Sequence, residues 1–263
     1  MQNTDIKVDL LESRRLLAST GGLPELAGIL ATKAPPAIIL PSQKLTASVK
    51  ITNSGGDLSK TSVPIGIYIS GTAALDSSAK QIQISSSALT IKSGKSKNVS
   101  LKFNAPSDIP ADNVYILFQI NDNSGGSAIP EVNTSNNLVA SPVAINPLGQ
   151  YAGAFSSSND SGSFSADIEK SGSKLTANFT ANTTLGSLEI DNLKCTISTA
   201  GAYSIKGKGH ATSASFGAFS YNASITGTLD TTTDHVAGNL TLAVTGGSNP
   251  FSTTGSFDAT KSA

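Results

Sequence analysis

Apolar residues in this chain recur at every second position, over most of its length. Leu45, Ala47, Val49 and Ile51 alternate with polar residues in KLTASVKITN, and Val63, Ile65, Ile67 and Ile69 do so in VPIGIYIS. Ile82 and Ile84 follow in KQIQIS, then Val99, Leu101 and Phe103 in KNVSLKFN, then Val114, Ile116, Phe118 and Ile120 in NVYILFQI. A period of two puts one apolar face on each segment, as a half-buried strand requires, and it excludes an amphipathic helix, whose period is 3.6. Between these runs lie NSGGDLSKTS, SGTAALDSS, KSGKS, NAPSDIPAD and NDNSGGS. Gly supplies positive φ there, Pro fixes φ, and Asn and Asp bond their own backbone, so the stretches read as turns. Roughly seven strands with frequent turns, from about Pro41 to Ile145, predict a β-sandwich.

Around Pro147 the composition changes. Proline all but disappears, leaving only Pro250, and Gly, Ser, Thr and Ala take over. Alternation continues through QYAGAFS, GSFSADIEK, SKLTANFTAN, SLEIDNLKCTIS, AYSIKGKGHA, AFSYNASITGTLD, HVAGNLTLAVT and TTGSFDAT. These are about eight short segments joined by NDSG, KSG, STAG, LDTTTDH and TGGSN, which are hairpin connections. Residues 147–263 are therefore expected to form an antiparallel up-and-down meander that either closes into a barrel or curls over its own core. Gly153, Gly207, Gly209 and Gly227 inside the strands suit tight curvature or bulges. The strands are too short and polar, with too few aromatics, for an outer-membrane barrel. The expected fold class is all-β, an Ig-like sandwich followed by the meander or barrel, behind an N-terminal segment of residues 1–35.

Charge and composition narrow the function. Eighteen basic residues balance eighteen acidic ones, charged residues are 14% of the chain, and no basic face announces a nucleic-acid partner. A surface covered by Ser, Thr, Asn and Gly suits an extracellular β protein. No run approaches the length of a spanning helix, so no transmembrane segment is expected. A standard secretory signal is not expected either, because LPELAGILATKA is broken by Pro24 and Glu25. Cys195 is the only cysteine, which rules out an intrachain disulfide and a multi-cysteine metal site. Its alternation with Leu193 and Ile197 marks it as a buried small hydrophobe. The absence of Trp excludes the antibody type of immunoglobulin core.

Two resemblances are carried by short motifs. ITNSGGDLSKTSVPIGIYIS resembles the opening hairpin of CARDB domains, the cell-adhesion-related Ig-like modules of bacteria, and NVYILFQINDNSGGSAIPEVNTSNNLV resembles their closing hairpin. Asp122, Glu131, Asn133, Asn136 and Asn137 fall on the latter. The resemblance spans roughly residues 36–146 and implies a seven-stranded sandwich. In VDLLESRRLLAS, Leu10, Leu11, Leu16 and Leu17 could share one face of a short helix. That stretch also resembles the Leu-Glu-x-Arg-x-Leu-Leu segment near the start of many secreted or surface proteins of certain bacteria, with Ser13 where Pro is common. The resemblance implies an export or sorting tag.

Candidate sites are few. Asn133, Asn136 and Asn137 precede the alternating Leu138, Ala140 and Val143, and are read as a turn whose side chains cap backbone groups. Asn133 also opens a glycosylation sequon, as do Asn98, Asn159, Asn178, Asn182, Asn222 and Asn239. Asp57, Asp122 and Glu131 are calcium candidates, with Asp122 and Glu131 the retained pair, but the spaced acidic ladder of an EF-hand is missing. No metal or other cofactor is expected. His210 and His235 are the only histidines. Asp234 adjoins His235 but points to the opposite face of a strand. Neither a G-x-S-x-G elbow nor a G-x-x-x-x-G-K-[ST] loop occurs. The expectation is a non-enzymatic secreted or surface protein that is structural or adhesive and contacts an extracellular polymer or a protein surface. Two alternatives remain. One is a carrier, if Phe155, Phe164, Phe179, Phe216, Phe219, Phe251 and Phe257 face a cavity. The other is a hydrolase assembled in space from a histidine beside a carboxylate.

Overall fold

The computed structural model describes residues 22–109, 113–126, 128–157, 160–184, 186–230, 233, 235–247 and 250–262. The VDLLESRRLLAS segment, Asn159 and Asp234 lie outside them. Among the described residues, every element apart from one 3-10 turn at Asn123–Gly125 is a strand. The chain divides into two compact units: one of Met1–Pro35, Lys44–Phe103 and Ile116–Ser141, and one of Pro36–Gln43, Asn104–Tyr115 and Pro142–Ala263.

The strands of the sandwich region are β1 (Leu26–Leu30), β2 (Lys44–Asn53), β3 (Leu58–Ser70), β4 (Lys80–Ile91), β5 (Lys95–Asn104), β6 (Asn113–Ile120), β7 (Leu138–Ala140) and β8 (Ala144–Ile145). One sheet has the order β1-β2-β5 and the other β4-β3-β6-β7, with β8 pairing the start of β6. The alternating residues named above supply the core, except in KQIQIS, where Ile82 is half-buried and Ile84 exposed, and β4 instead buries Leu89 and Ile91. Val49, Ile51, Val63, Ile65, Ile67, Ile116, Phe118 and Ile120 are fully buried, and Phe103 meets Phe118 edge to face at 6.0 Å. Strand β1 was not anticipated, because it lies inside the stretch read as an N-terminal segment. It pairs antiparallel with β2 from Leu26↔Asn53 to Leu30↔Val49. Gly28 belongs there for a steric reason, since a Cβ would lie 2.0 Å from Ile120 Cδ1 and 2.6 Å from Val139 Cγ2.

The eight segments after Pro147 each form a strand: β9 (Gly149–Ser157), β10 (Ser161–Ser171), β11 (Lys174–Thr183), β12 (Gly186–Ile197), β13 (Ala202–Ser213), β14 (Gly217–Asp230), β15 (His235–Thr245) and β16 (Phe251–Lys261). They close into a barrel, with β16 pairing back onto β9 from Gly255↔Ser157 to Lys261↔Tyr151. Closure removes the free edges an open meander would leave. The wall is uneven at β12. A register shift past Ala177 and Asn192 at φ 58 form a bulge, tied by Asn192 N–H donating to Asn178 Oδ1 at 3.0 Å. Beyond it β12 and β13 share only the rungs Lys194↔Lys206 to Ile197↔Tyr203, whereas β13 pairs with β14 over every one of its residues, Ala202↔Thr228 to Ser213↔Gly217. Bulges bend strands and raise local twist, which helps a barrel close.

Inside the barrel, Phe155, Phe164, Phe179, Phe219 and Phe257 are buried together with Leu188, Ile190, Ile205, Leu240 and Val244. Phe164 stacks on Phe179 at 5.6 Å and meets Phe257 edge-on at 5.3 Å. A void of about 30 Å³ remains, lined by Tyr151, Phe164, Phe179, Tyr203 and Phe257 among others. The outer face carries Ser, Thr, Asn and Lys. A membrane-spanning barrel shows the reverse arrangement, an outward apolar band around a polar lumen. Among the described residues no helix is long and apolar enough to cross a membrane.

Candidate functional site

The last hairpin of the sandwich holds most of the candidate residues, and the structure resolves them into separate networks. Asn121 sits at φ 55, a left-handed conformation Asn tolerates well. From there its side chain donates to Ile129 O at 2.7 Å and accepts from Ile129 N at 2.7 Å, holding the loop as a second backbone strand would. Its amide also donates to Glu131 Oε1. Glu131 takes a second donor there, Asn137 Nδ2 at 2.9 Å, while its Oε2 accepts Leu26 N–H at 2.6 Å. Both oxygens are thus occupied by N–H donors, and the carboxylate clamps β1 to the loop before β7.

Asp122 belongs to a different network. Its Oδ1 accepts Ser124 N–H at 2.8 Å, capping the 3-10 turn, and its Oδ2 accepts the Tyr68 hydroxyl at 2.6 Å. Gly66 makes room for it, since a Cβ there would lie 1.6 Å from Asp122 Oδ2. Burial, and next the hydrogen bond to Asp122, push the Tyr68 phenol above its ordinary pKa. Asp57 lies elsewhere again, accepting Ser93 N–H at 2.8 Å. The three carboxylates are therefore not brought together. Among the described residues no group of three or more His, Cys, Asp or Glu side chains could hold a metal ion.

Asn133 behaves as a turn residue. Its Oδ1 accepts both Ser135 N–H at 3.0 Å and Ser135 Oγ–H at 2.7 Å, a local side-chain turn. The turn is anchored to Glu25, whose carboxylate accepts Asn133 N–H at 3.0 Å and Asn136 Nδ2–H at 3.1 Å. Asn137 is fully buried, and its backbone carbonyl accepts Ile120 N–H at 2.9 Å. Sequence reasoning missed Glu25 altogether. It is separated from its partners by more than a hundred residues, and only the pairing of β1 brings it there.

The two histidines each find half of a catalytic arrangement. His210 on β13 pairs across to Ser220 on β14, with Nδ1 2.8 Å from Ser220 Oγ, beside a shallow depression of about 280 Å³ that no carboxylate lines. His235 on β15 has Nε2 2.7 Å from Asp258 Oδ1 on β16. Asp258 lies 23 residues downstream and was invisible to a search of chain neighbours. The two halves do not meet. Ser220 pairs with Thr245, ten residues along β15 from His235, which is roughly 33 Å of strand. A hydrolytic triad needs nucleophile, base and orienting carboxylate within hydrogen-bond reach of one another.

Cys195 and Tyr203 are the buried titratable groups of the barrel. Burial holds the Cys195 thiol up to about 11, so it stays protonated and inert. Burial also pushes the Tyr203 phenol upward, with Cys195 adding to it. The Tyr203 ring lies over Gly227, the residue it pairs with on β14, and a Cβ there would come within 2.6 Å of the hydroxyl. Among the described residues the Tyr203 hydroxyl has no hydrogen-bond partner.

No protein-family profile matches this chain, and no curated protein does. Among solved structures it is similar to a CARDB domain from Pyrococcus furiosus crystallised in complex with di-metal ions, at 15% identity over 48% of this chain and 94% of that one, TM-score 0.32. The solution structure of the same domain gives 14% identity, 48% and 97% coverage, and a TM-score of 0.30. A sporulation control protein from Bacillus subtilis gives 14% identity over 70% of this chain and 78% of that one, TM-score 0.27. The structural neighbours thus include CARDB domains, at low identity.

Proposed function

We propose that this is a non-enzymatic protein of the bacterial cell surface or exterior, with a structural or adhesive role exerted through its outer β faces. The observation that carries the reading is the filled barrel. With aromatic rings packed across the interior and about 30 Å³ left over, the fold offers its outside rather than its inside. A drug-sized ligand needs roughly 300 Å³ or more, which weighs against a carrier that encloses its ligand among these rings. The separated halves at His210 and His235 weigh against a hydrolase. A mostly uncharged Ser-, Thr- and Asn-rich exterior fits a role outside the cytoplasm, and the partner class it suits is an extracellular polymer or a protein surface.

Protease shaving of intact source cells, scored by mass spectrometry against a lysed control, tests this. Peptides from residues 41–263 are expected from intact cells. Their release only after lysis would overturn the extracellular reading and return the barrel to consideration as an intracellular binding module.

A further inference from the structure

Four lysines gather on the outer face of three neighbouring barrel strands. Lys174 is on β11, Lys194 on β12, and Lys206 and Lys208 on β13, and all four are exposed. Their placement follows from the alternation. Leu175, Cys195 and Ile205 are buried inside the barrel, so the residues beside them point outward. Lys194 and Lys206 are a directly opposed cross-strand pair. Thr176 pairs with Lys194, which puts Lys174 diagonal to Lys194 on the same face. Lys206 and Lys208 are one outward step apart, about 7 Å. The result is a strip of ammonium groups spaced by roughly 5–8 Å across the strands.

This arrangement opposes folding. Like charges directly opposite one another on a sheet destabilise it, and the chain as a whole has no surplus of lysine to scatter, with eighteen basic residues against eighteen acidic ones. Acidic residues do lie on neighbouring outward positions, Glu169 on β10 and Glu189 and Asp191 on β12, yet among the described residues none of the four lysines forms an ion pair. The strip is also flanked by two open depressions. One, of about 730 Å³, is lined by the outward Lys174, Thr176, Lys194 and Thr196 and reaches Leu40, Leu175, Cys195 and Ile197. The other, of about 430 Å³, lies along Lys206 and Lys208 beside Asn222 and Ser224. All of these residues belong to one compact unit.

We propose that the outer face of β11–β13 is a docking strip for an anionic polysaccharide, a chain of sugars bearing carboxylate or sulfate groups. The proposal rests on the interaction reading above and names the partner class and the face. Charge complementarity selects a polyanion, and the linear run of lysines across two depressions selects an extended chain over a single small anion. Hydroxyl-rich sugar also suits the Thr176, Thr196, Asn222 and Ser224 side chains that border the lysines. A single-stranded nucleic acid would want aromatic platforms for its bases, and neither depression is lined by one.

The test uses the full chain against immobilised polygalacturonate, neutral dextran and oligo(dT), at low and high salt. Binding to polygalacturonate but not dextran is expected, weakening as salt rises. The double variant Lys194→Glu/Lys206→Glu should lose about tenfold or more in affinity, as two contacts are removed and reversed in sign. It should melt no lower than the parent. Should it fail to fold, Lys208→Gln serves, with a loss of a few-fold. Lys44→Glu/Lys50→Glu, with the same change in net charge, should bind as the parent does. No binding to polygalacturonate, an equal loss in the control variant, or tighter binding to oligo(dT) would each overturn the proposal. Saccharide or cell binding that the β12–β13 variants leave unchanged would overturn the strip while leaving the interaction reading standing.

Discussion

Tyr203→Phe is expected to stabilise this protein, against the usual direction of a core substitution. The hydroxyl of Tyr203 is buried in the barrel and lacks a hydrogen-bond partner among the described residues. An unpaired buried hydroxyl carries a desolvation cost of about 1–3 kcal/mol, which the unfolded chain does not bear. Removing it keeps the ring and its contact with Phe257 at 6.2 Å. It also enlarges an apolar void of about 30 Å³ by one oxygen atom, a loss of a few dispersion contacts at ~0.1–0.2 kcal/mol each. The balance favours Phe by about 1 kcal/mol. In a barrel of this size that raises the melting temperature by about 4 °C or somewhat more. Tyr151→Phe is the control with the opposite sign. Its hydroxyl donates to Pro147 O at 3.1 Å in a buried setting, so deletion strands a buried carbonyl and costs about 1 kcal/mol or more. Urea unfolding followed by far-ultraviolet circular dichroism, with equal slopes for parent and variants, measures both. A loss of stability in Tyr203→Phe comparable to that in Tyr151→Phe would refute the reasoning, because it would mean that the Tyr203 hydroxyl has a partner in solution.

Further outcomes follow from the same kind of accounting. Glu131→Gln turns one of the acceptors facing Leu26 N–H, Asn121 and Asn137 into a donor, so it should cost about 1–3 kcal/mol in urea unfolding; a change within experimental error would show that β1 is held by other means. Asp76 is kept down at about 2 by the Ser78 and Thr72 hydroxyls and Ser78 N–H. Its folded value is below its ordinary 3.8, so this contribution to loop order is present above that pH and is lost as pH falls through about 2. Carboxyl titration by NMR should give that midpoint, and one near 4 would contradict it. Cys195 should resist iodoacetamide in the native protein at mildly alkaline pH and react fully in urea. Because its folded value lies near 11, above 9.0, the matching stability is whole below pH 9.0 and fades as pH rises toward about 11. Rapid native labelling would show the barrel opening at β12.

The strands of the barrel were legible because they are local. Each is an alternating run bounded by turn residues, and Gly172 at φ 59 in KSGSK shows how directly a turn residue marks its hairpin. Closure was left open by the sequence, since the pairing of β16 with β9 joins residues about a hundred positions apart and leaves no local mark. Strand β1 was missed for a related reason. LAGIL is short, and Gly28 reads as a break until Ile120 and Val139 are seen to occupy the space a side chain would need. The Asn-rich loop was legible as a turn at Asn133, which bonds its near neighbour Ser135, but not at Asn136 and Asn137, whose side chains donate to Glu25 and Glu131 instead of capping backbone groups. Its anchors, Glu25 and Leu26 N–H, were not, because they arrive from the other end of the unit.

The same distinction bears on function. Local pattern determines which side of each strand is apolar, and so it determines that Lys174, Lys194, Lys206 and Lys208 face out. It does not determine that they face out together. That depends on register, and the register is anchored by the bulge at Asn192, which shifts β12 against β11 between Ala177 and Phe179. A β12 one residue out of step would turn Lys194 inward and Cys195 outward, so burial of Cys195 and Leu193 holds Lys194 opposite Lys206 despite the repulsion. The apolar interior therefore supplies the free energy that keeps like charges adjacent on the surface. A barrel packed with aromatic rings, with about 30 Å³ left over, is the kind of scaffold that can hold like charges side by side.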